Sequence, residues 1–157
     1  MTEIPRENVQ SYPRPAALEP VPRRITIRLG SVLVAETTCA LRVLETHHAP
    51  SYYLPPEHIL ATLRPVQGSS FCEWKGTARY FDVIAEDKTA LRAAWAYDRP
   101  TASFAALAGH VAFYAGLMDE PWVGDLRVIP QPGDFCGGWV TPNLDGQIKG
   151  AQGTRHW

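Results

Sequence analysis

The amino-acid sequence predicts a mainly β protein with two short helices. Apolar and polar residues alternate in several short runs, most clearly in Ile25–Leu29, and this alternation is typical of strands with one buried face. Turn sequences such as Gly30-Ser31 and Gly124-Asp125 separate those runs. Helical spacing of apolar residues is brief and is clearest after Pro100. We therefore expect antiparallel hairpins to form most of the structure.

Residues 1–22 are predicted to form an extended arm that precedes a single β domain over residues 23–157. The segment is rich in proline, which does not fit a helix interior and cannot donate a backbone hydrogen bond. The first hairpin follows, and its turn begins with Gly30, as a type II′ turn requires. The glycine-rich end of the chain is expected to pack back on the sheet, because it carries Phe135, Trp139 and Trp157.

The middle of the chain is predicted to contain a strand over Ala40–Glu45, a proline-rich loop and a short helix that begins near Pro56. The run FCEWKGTARYF, residues 71–81, is then expected to be one strand that continues to about residue 85. After a turn at residues 86–88 the chain returns as a strand over Ala90–Tyr97. Period two places four side chains of this return strand on one face, namely Leu91, Ala93, Trp95 and Tyr97.

A second short helix is predicted after Pro100, with Thr101 as its N-cap and Gly109 as its end. The apolar spacing indicates that its buried face holds Phe104, Leu107 and Ala108. A strand over residues 109–114 and a hairpin with its turn at Gly124-Asp125 complete the expected elements.

The run FCEWKGTARYF allows two interpretations. As a strand it places Cys72, Trp74, Gly76, Ala78 and Tyr80 on one face, and Glu73, Lys75, Thr77 and Arg79 on the other. In one interpretation the rings pack in the core and the charges face water. In the other, the charged face lines a cleft, where Lys75 and Arg79 bind an anion and Glu73 acts as a base or a metal ligand.

Gly76 points to a candidate ligand site on the aromatic face of this strand. Glycine inside a strand marks a bulge or a close approach, and here it would leave a gap that a flat ring fills. The candidate ligand-binding residues are Trp74, Lys75, Gly76, Tyr80, Trp95 and Tyr97, with Arg42 and Tyr53 at the polar edge. Lys75 and Glu73 are the candidate catalytic residues. Packing of these rings in an ordinary core is the alternative.

Charge and cysteine usage exclude several classes of protein. The 15 basic and 16 acidic residues nearly balance, which disfavours a nucleic-acid or membrane partner and leaves a small molecule as the expected partner. Three separated cysteines and the lack of a signal peptide or long apolar run indicate a reduced, cytoplasmic protein. His47, His48 and His58 lack a recognised ligand spacing, so no metal and no other cofactor are expected.

Five separate runs of the chain carry a resemblance to a known family, namely ALRVLET at 40–46, YYLPPE at 52–57, FCEWKGTARY at 71–80, AAWAYDRP at 93–100 and GHVAFYAG at 109–116. Together they resemble the bacterial and fungal family called domain of unknown function 427. The family commonly has Cys-Pro-Tyr-Lys-Gly where this chain has Cys72-Glu73-Trp74-Lys75-Gly76. The resemblance covers roughly residues 12–125 and rests on separate motifs that agree in order.

The resemblance implies a fold similar to the β-tent, in which two antiparallel sheets meet at an angle with Mss-four-like topology. Methionine-sulfoxide reductase B and the thalidomide-binding domain of cereblon have this fold. Their paired C-x-x-C zinc motifs are absent here, so zinc is not implied. The aromatic ligand cage of cereblon-like domains favours the pocket interpretation of Trp74 and Trp95 by analogy of fold.

Three hypotheses about function follow. The first is binding, with possible turnover, of a small nucleobase-like or nucleotide-like ligand in an aromatic-lined pocket. The second is a metal-dependent phosphoester hydrolase or nucleotidyl-transfer enzyme, in keeping with the nucleotidyltransferase-like heading of the family, with Glu45, Glu73 or the histidine loop as ligands. The third is a non-enzymatic interaction module that docks a partner on the proline-rich arm.

Overall fold

The computed structural model describes residues 4–72, 75–132 and 137–151, and it confirms the mainly β class. Four short 3-10 helices accompany the strands in these residues, at Val9–Ser11, Pro56–His58, Ala102–Leu107 and Ala115–Leu117. The strands are β1 (Glu7–Asn8), β2 (Ala17–Val21), β3 (Ile25–Leu29), β4 (Val32–Thr37), β5 (Ala40–Leu44), β6 (Ser51–Tyr53), β7 (Thr62–Cys72), β8 (Gly76–Ala85), β9 (Lys88–Tyr97), β10 (Val111–Phe113), β11 (Glu120–Val123), β12 (Leu126–Arg127), β13 (Ile129–Pro130), β14 (Trp139–Val140) and β15 (Leu144–Asp145).

The strands form several sheets, and the larger ones are antiparallel. Two sheets have four strands each, in the orders β10-β9-β8-β7 and β12-β11-β3-β4, and a third has the order β2-β5-β6. Two further pairs are β13-β14, which is antiparallel, and β1-β15, which is parallel. The strands are therefore divided among more sheets than the two that the resemblance implied. No helix in the described residues is long and apolar enough to cross a lipid bilayer.

The main core lies between the two four-stranded sheets. Ile25 and Ile27 of β3, Val83 of β8 and Phe113 of β10 are fully buried in one apolar cluster. Trp139 of β14 belongs to the same cluster, so the C-terminal segment packs back on the sheets, as predicted. Phe135 and Trp157, the other two rings of that prediction, lie outside the described residues.

Three predicted hairpin turns are confirmed. Leu29 pairs with Val32 across Gly30-Ser31, and Val123 pairs with Leu126 across Gly124-Asp125. Gly30 has a positive φ of 64°, the conformation that a glycine-first turn requires. Ala85 likewise pairs with Lys88 across the turn that joins β8 to β9.

The N-terminal segment is extended, but it is more than an arm. Within the predicted arm of residues 1–22, β2 pairs along its whole length with β5. Proline is tolerated in β2 because this strand is at the edge of its sheet, where half of the backbone N–H groups face away from the partner strand. The predicted boundary at residue 22 therefore falls just after a sheet strand, and the division into domains stays a prediction.

The prediction of one strand over residues 71–81 is wrong. Cys72 pairs with Gly76 in an antiparallel ladder, so the chain reverses direction between these two residues and the run belongs to two strands, β7 and β8. Gly76 has a φ of 107°, which few other residues adopt, and it begins the returning strand. Within β8 the predicted alternation holds, since Ala78 and Tyr80 are buried. Glu73 and Trp74 lie outside the described residues.

Two further expectations are corrected. On β9, Leu91 is 68% exposed whereas Ala93, Trp95 and Tyr97 are buried. The ladder to β8 shifts register opposite this point and Arg92 has a φ of 49°, so a bulge interrupts the strand and Leu91 does not follow the alternation of Ala93, Trp95 and Tyr97.

The second correction concerns the helix after Pro100, which is the 3-10 helix Ala102–Leu107 and not an α-helix. Phe104 and Leu107 are buried as predicted, since residues i and i+3 coincide on one side of a 3-10 turn. Ala108, the third residue of the predicted face, is exposed.

Candidate functional site

A cavity of about 540 Å³ lies beside the sheet β10-β9-β8-β7. Its apolar wall is aromatic and is formed by Tyr80, Trp95, Tyr97 and Tyr114. Its cationic groups are Lys75 and Arg92, and its other polar groups are Glu45, His48, Ser51, Ser70 and Gln131. The cavity therefore combines flat apolar surface with hydrogen-bonding groups and two positive charges, which is the composition expected of a small-molecule site.

The fully buried Tyr53 connects the aromatic wall to Lys75. Its hydroxyl oxygen accepts hydrogen bonds from Lys75 Nζ at 3.3 Å and from Trp95 Nε1 at 3.3 Å. The Tyr53 ring packs edge-on against Trp95 and tilted against Tyr97, with centroid distances of 6.2 Å in both cases. Because these bonds and contacts share one residue, they fix the Trp95 ring and the Lys75 ammonium group relative to one another.

Lys75 points its ammonium group into an aromatic environment. Nζ lies 5.8 Å from the centroid of the Tyr53 ring and 5.6 Å from that of Tyr97. Burial alone lowers the pKa of Lys75, but Tyr53, Tyr97 and Cys72, which become negative when ionised, raise it above its usual value. Lys75 forms no salt bridge with a carboxylate of the described residues.

Arg92 forms the second cationic position of the cavity. Its guanidinium carbon lies 3.9 Å from the centroid of the Tyr80 ring, and the Tyr80 hydroxyl is 2.6 Å from Ser70 Oγ. The backbone N–H of Arg92 donates to Asp82 at 2.7 Å. That bond and the Arg64 guanidinium hold the pKa of Asp82 below its usual value, so Asp82 is ionised and anchors the bulge that presents Arg92.

Four of the predicted ligand-binding residues line the cavity, and one lies directly behind it. Lys75, Tyr80, Trp95 and Tyr97 form its wall, and Tyr53 supports two of them from the buried side. Burial and the neighbouring Tyr53 raise the pKa of Tyr97, so Tyr97 is a neutral hydrogen-bonding group.

Arg42, the predicted polar edge, lies outside this cavity. It lines a smaller recess of about 160 Å³ and pairs there with two carboxylates. Arg42 donates to Glu7 at 2.8 Å and to Glu19 at 2.6 Å. The geometry therefore assigns Arg42 to attachment of the N-terminal segment.

Gly76 also faces away from the aromatic rings. A Cβ atom at this position would lie 3.4 Å from the carbonyl oxygen of Arg99 and close to the backbone of the next two residues. Gly76 therefore does not leave the gap among rings that the single-strand interpretation predicted. Its role is conformational, and it lets the loop before the helix Ala102–Leu107 pack against the start of β8.

Sequence reasoning missed several residues of the cavity. Gln131 is 1% exposed and its side chain accepts from Ala49 N and donates to the Lys149 carbonyl, both at 3.1 Å. The pairing of β7 with β8 brings Ser70 to the cavity, and the bulge in β9 brings Arg92 there. Neither feature has a recognisable sequence motif. Tyr114 lies in the recognised run GHVAFYAG, and its ring stacks at a tilt 4.6 Å from Trp95.

The histidines make separate local contacts. His58 Nδ1 lies 2.7 Å from the Thr37 hydroxyl, and His48 Nδ1 lies 2.9 Å from the Thr46 carbonyl. Across residues 4–72, 75–132 and 137–151, no three side chains of His, Cys, Asp or Glu converge as a metal ion would require.

Gly137 contacts Trp95 closely, and this contact gives a testable prediction. A Cβ atom at residue 137 would lie 2.3 Å from Trp95 Cη2, and φ is 71°. Gly137→Ala is therefore expected to lower the free energy of unfolding by about 1–3 kcal/mol, because the indole must move and the alanine is strained. Urea denaturation followed by circular dichroism measures the loss.

Gly109→Ala is the matched control for this substitution. Gly109 has a similar φ of 76°, but a Cβ atom there would meet nothing within 4 Å. Its cost is expected to be backbone strain alone, about 1 kcal/mol. Equal losses for the two variants would contradict the proposed contact between Gly137 and Trp95.

Comparison with known families places most of the chain in one of them. A family model described as a domain of unknown function, DUF427, matches residues 17–124. The matched region contains the five runs that carried the resemblance and ends before β12. No curated protein matches the chain.

Proposed function

The chain belongs to the DUF427 family, and we propose that it binds a small nucleobase-like or nucleotide-like ligand in the aromatic cavity. The cavity volume of about 540 Å³ is within the range of small-molecule sites, roughly 300–1,000 Å³. Trp95, Tyr97 and Tyr114 offer flat apolar surface on which a heterocyclic ring can stack. The edges of such a ring carry hydrogen-bond acceptors, which match the donors of the cavity.

The observation that carries the proposal is the placement of Lys75. Its ammonium group lies in the cavity against Tyr53 and Tyr97, and its one hydrogen bond among the described residues goes to a neutral hydroxyl. An ammonium group has three N–H donors, so two of them remain available after the bond to the Tyr53 hydroxyl. A ligand with carbonyl or anionic oxygen atoms would satisfy the remaining donors of Lys75, which forms no salt bridge with a carboxylate of the described residues.

Arg92, Tyr80 and Ser70 support the same proposal from another part of the wall. Arginine stacked on a tyrosine ring extends the flat surface and keeps several N–H donors at its edge. The Ser70 and Tyr80 hydroxyls share one hydrogen bond, so one of them retains donor capacity toward a ligand. Binding of the ligand in a cytoplasmic setting, and its turnover by nucleotidyl transfer or another reaction, stay predictions.

Lys75→Met tests the proposal, because it removes the charge and keeps most of the side-chain volume. We expect the variant to fold and to be at least as stable as the wild type, since an apolar side chain costs less to bury than an ammonium group. Ligand affinity should fall at least about ten-fold, the effect of losing a charge-assisted hydrogen bond. Isothermal titration calorimetry with nucleobases, nucleosides and nucleotides measures the affinity.

Lys88→Met is the matched control, because Lys88 is exposed and does not line the cavity. Thermal unfolding gives an independent readout, since a ligand at 100 times its Kd stabilises the folded protein by about 2.7 kcal/mol. If no compound of these classes stabilises the wild type, or if Lys75→Met binds as tightly as Lys88→Met, the proposal is wrong.

A further inference from the structure

We propose that a second recess, which shares two lining residues with the aromatic cavity, binds a phosphate group, so that the ligand is a nucleotide and not a free base. This inference rests on the proposed function for the position of the ring. The recess has a volume of about 360 Å³ and is lined by Arg14, Glu45, Thr46, His47, His48 and Lys149. Glu45 and His48 line the aromatic cavity as well, so the two spaces share a wall.

The recess carries an excess of positive charge. Arg14 and Lys149 form no salt bridge with any carboxylate of the described residues. Among the described residues of the lining Glu45 is the acidic one, and its carboxylate is 4.0 Å from His48 Nδ1. The two cations Arg14 and Lys149 therefore outnumber the carboxylate of the described lining. This excess favours a compact anion with several oxygen atoms, which is the chemistry of a phosphate group.

The backbone of the recess is held in a fixed and unusual conformation. His47 has a φ of 65°, a region that costs energy for a residue with a side chain. Hydrogen bonds on both sides hold it there, from His47 N to the Val9 carbonyl at 3.0 Å and from Lys149 N to the His47 carbonyl at 2.7 Å. Strained residues that the surrounding structure holds in place occur often at ligand sites, and this one lines the recess.

Gln131 connects the recess to the cavity. Its buried side chain bonds Ala49, which lines the cavity, and the backbone of Lys149, which lines the recess. The two walls therefore keep a constant separation, as a ligand with a ring at one end and a phosphate at the other requires. A ribose between those two groups would lie beside the two shared lining residues, Glu45 and His48.

The test compares each common nucleoside with its 5′-monophosphate by calorimetry, in the wild type and in Lys149→Ala. Alanine preserves the backbone hydrogen bonds of residue 149, so the variant changes charge without removing the anchor to His47 and Gln131. We expect the monophosphate to bind at least about ten-fold more tightly than its nucleoside in the wild type, and this ratio to fall about ten-fold in the variant. Arg14→Ala should lower the same ratio, and Lys88→Ala, at an exposed lysine elsewhere, should not.

Titration with inorganic phosphate separates failure of this inference from failure of the proposed function. If nucleosides bind but the phosphate group adds no affinity, or adds as much in Lys149→Ala, the phosphate recess is wrong and the aromatic site stands. If no nucleoside or nucleotide binds but inorganic phosphate binds in a Lys149-dependent way, the recess is supported and the proposed function is wrong. If none of these compounds binds, both are wrong.

Discussion

Trp139→Ala is expected to lower the free energy of unfolding by about 3–5 kcal/mol, the largest effect of any single substitution proposed for this chain. Trp139 is 1% exposed and stacks on Tyr52 with ring centroids 5.1 Å apart. Its Nε1 atom donates to the Phe113 carbonyl at 2.8 Å. The substitution therefore opens a cavity in the main core and leaves a buried carbonyl without its donor.

Denaturation in urea gives the free energies for this variant and for two comparisons. Trp139→Phe retains most of the ring but not the donor, so it should cost less than Trp139→Ala. Trp122→Ala is the control, because Trp122 is only partly buried and contacts Arg127 at the surface. Equal costs for Trp122→Ala and Trp139→Ala would contradict the assignment of Trp139 to the core. The family match ends at residue 124, before Trp139. The expected result would therefore show that residues after the match contribute to the stability of the fold.

Arg42→Ala is expected to cost about 2 kcal/mol at neutral pH, because it leaves two carboxylates facing each other without a cation. Arg42 contacts Glu7 through both terminal nitrogens, at 3.0 and 2.8 Å, and contacts Glu19 through Nε at 2.6 Å. The cost is below that of a fully buried pair, since the Glu19 side chain is 44% exposed. Arg6→Ala, which breaks an exposed pair with Asp145, is the control and should change stability little.

The cost of Arg42→Ala should also depend on pH. Burial raises the pKa of Glu7, but hydrogen bonds from Arg42 and Tyr12 outweigh it and hold the pKa below its usual value of 4.5. In the wild type, Glu7 therefore contributes stability above pH 4.5, and this contribution is lost as the pH falls through the lowered pKa. Without Arg42, burial dominates and Glu7 gains a proton more readily in the folded state.

The difference in unfolding free energy between the wild type and Arg42→Ala should therefore be largest near pH 7 and should shrink as the pH falls below about 5. Urea denaturation at a series of pH values measures it. A difference that stays constant from pH 7 to pH 4 would show that Glu7 is not the group that senses the substitution. Arg42 and Glu7 should also show coupled effects in a double-mutant cycle, because they are in direct contact.

The elements that were predicted well depend on local chemistry. The turn at Gly30-Ser31 needs one residue with positive φ, and glycine supplies it regardless of the rest of the fold. The buried faces of β3 and of the first half of β8 follow from alternation within a few residues. Such signals lie close together in the chain, so they could be read without any knowledge of the fold.

The hairpin at Cys72 and Gly76 escaped prediction for a specific reason. Directly paired residues of antiparallel strands place their side chains on the same face, and here the paired residues are both even-numbered. Even-numbered residues therefore remain on one face on both sides of the reversal, so the alternation continues through it unchanged. Lys75 lies inside the reversal, follows neither strand and lines the cavity.

The site could be predicted only in part, because it depends on pairings between distant segments. Arg42 and Tyr53 were both expected at the polar edge, but the ladder pairs Arg42 with Tyr52. Tyr52 therefore shares the face of Arg42, and the adjacent Tyr53 points to the opposite face, toward Lys75. Two neighbouring tyrosines look alike in the sequence, and only the register of β5 against β6 distinguishes them.

The parallel pair of β1 and β15 bears on how the protein is made. Glu7–Asn8 pairs with Leu144–Asp145, and Arg6 and Asp145, which are 139 residues apart, join the same two segments. The ribosome releases the chain from its N-terminal end, at roughly 5–20 residues per second. The partner of β1 lies far along the chain, so β1 stays unpaired while all the residues between the two strands are synthesised.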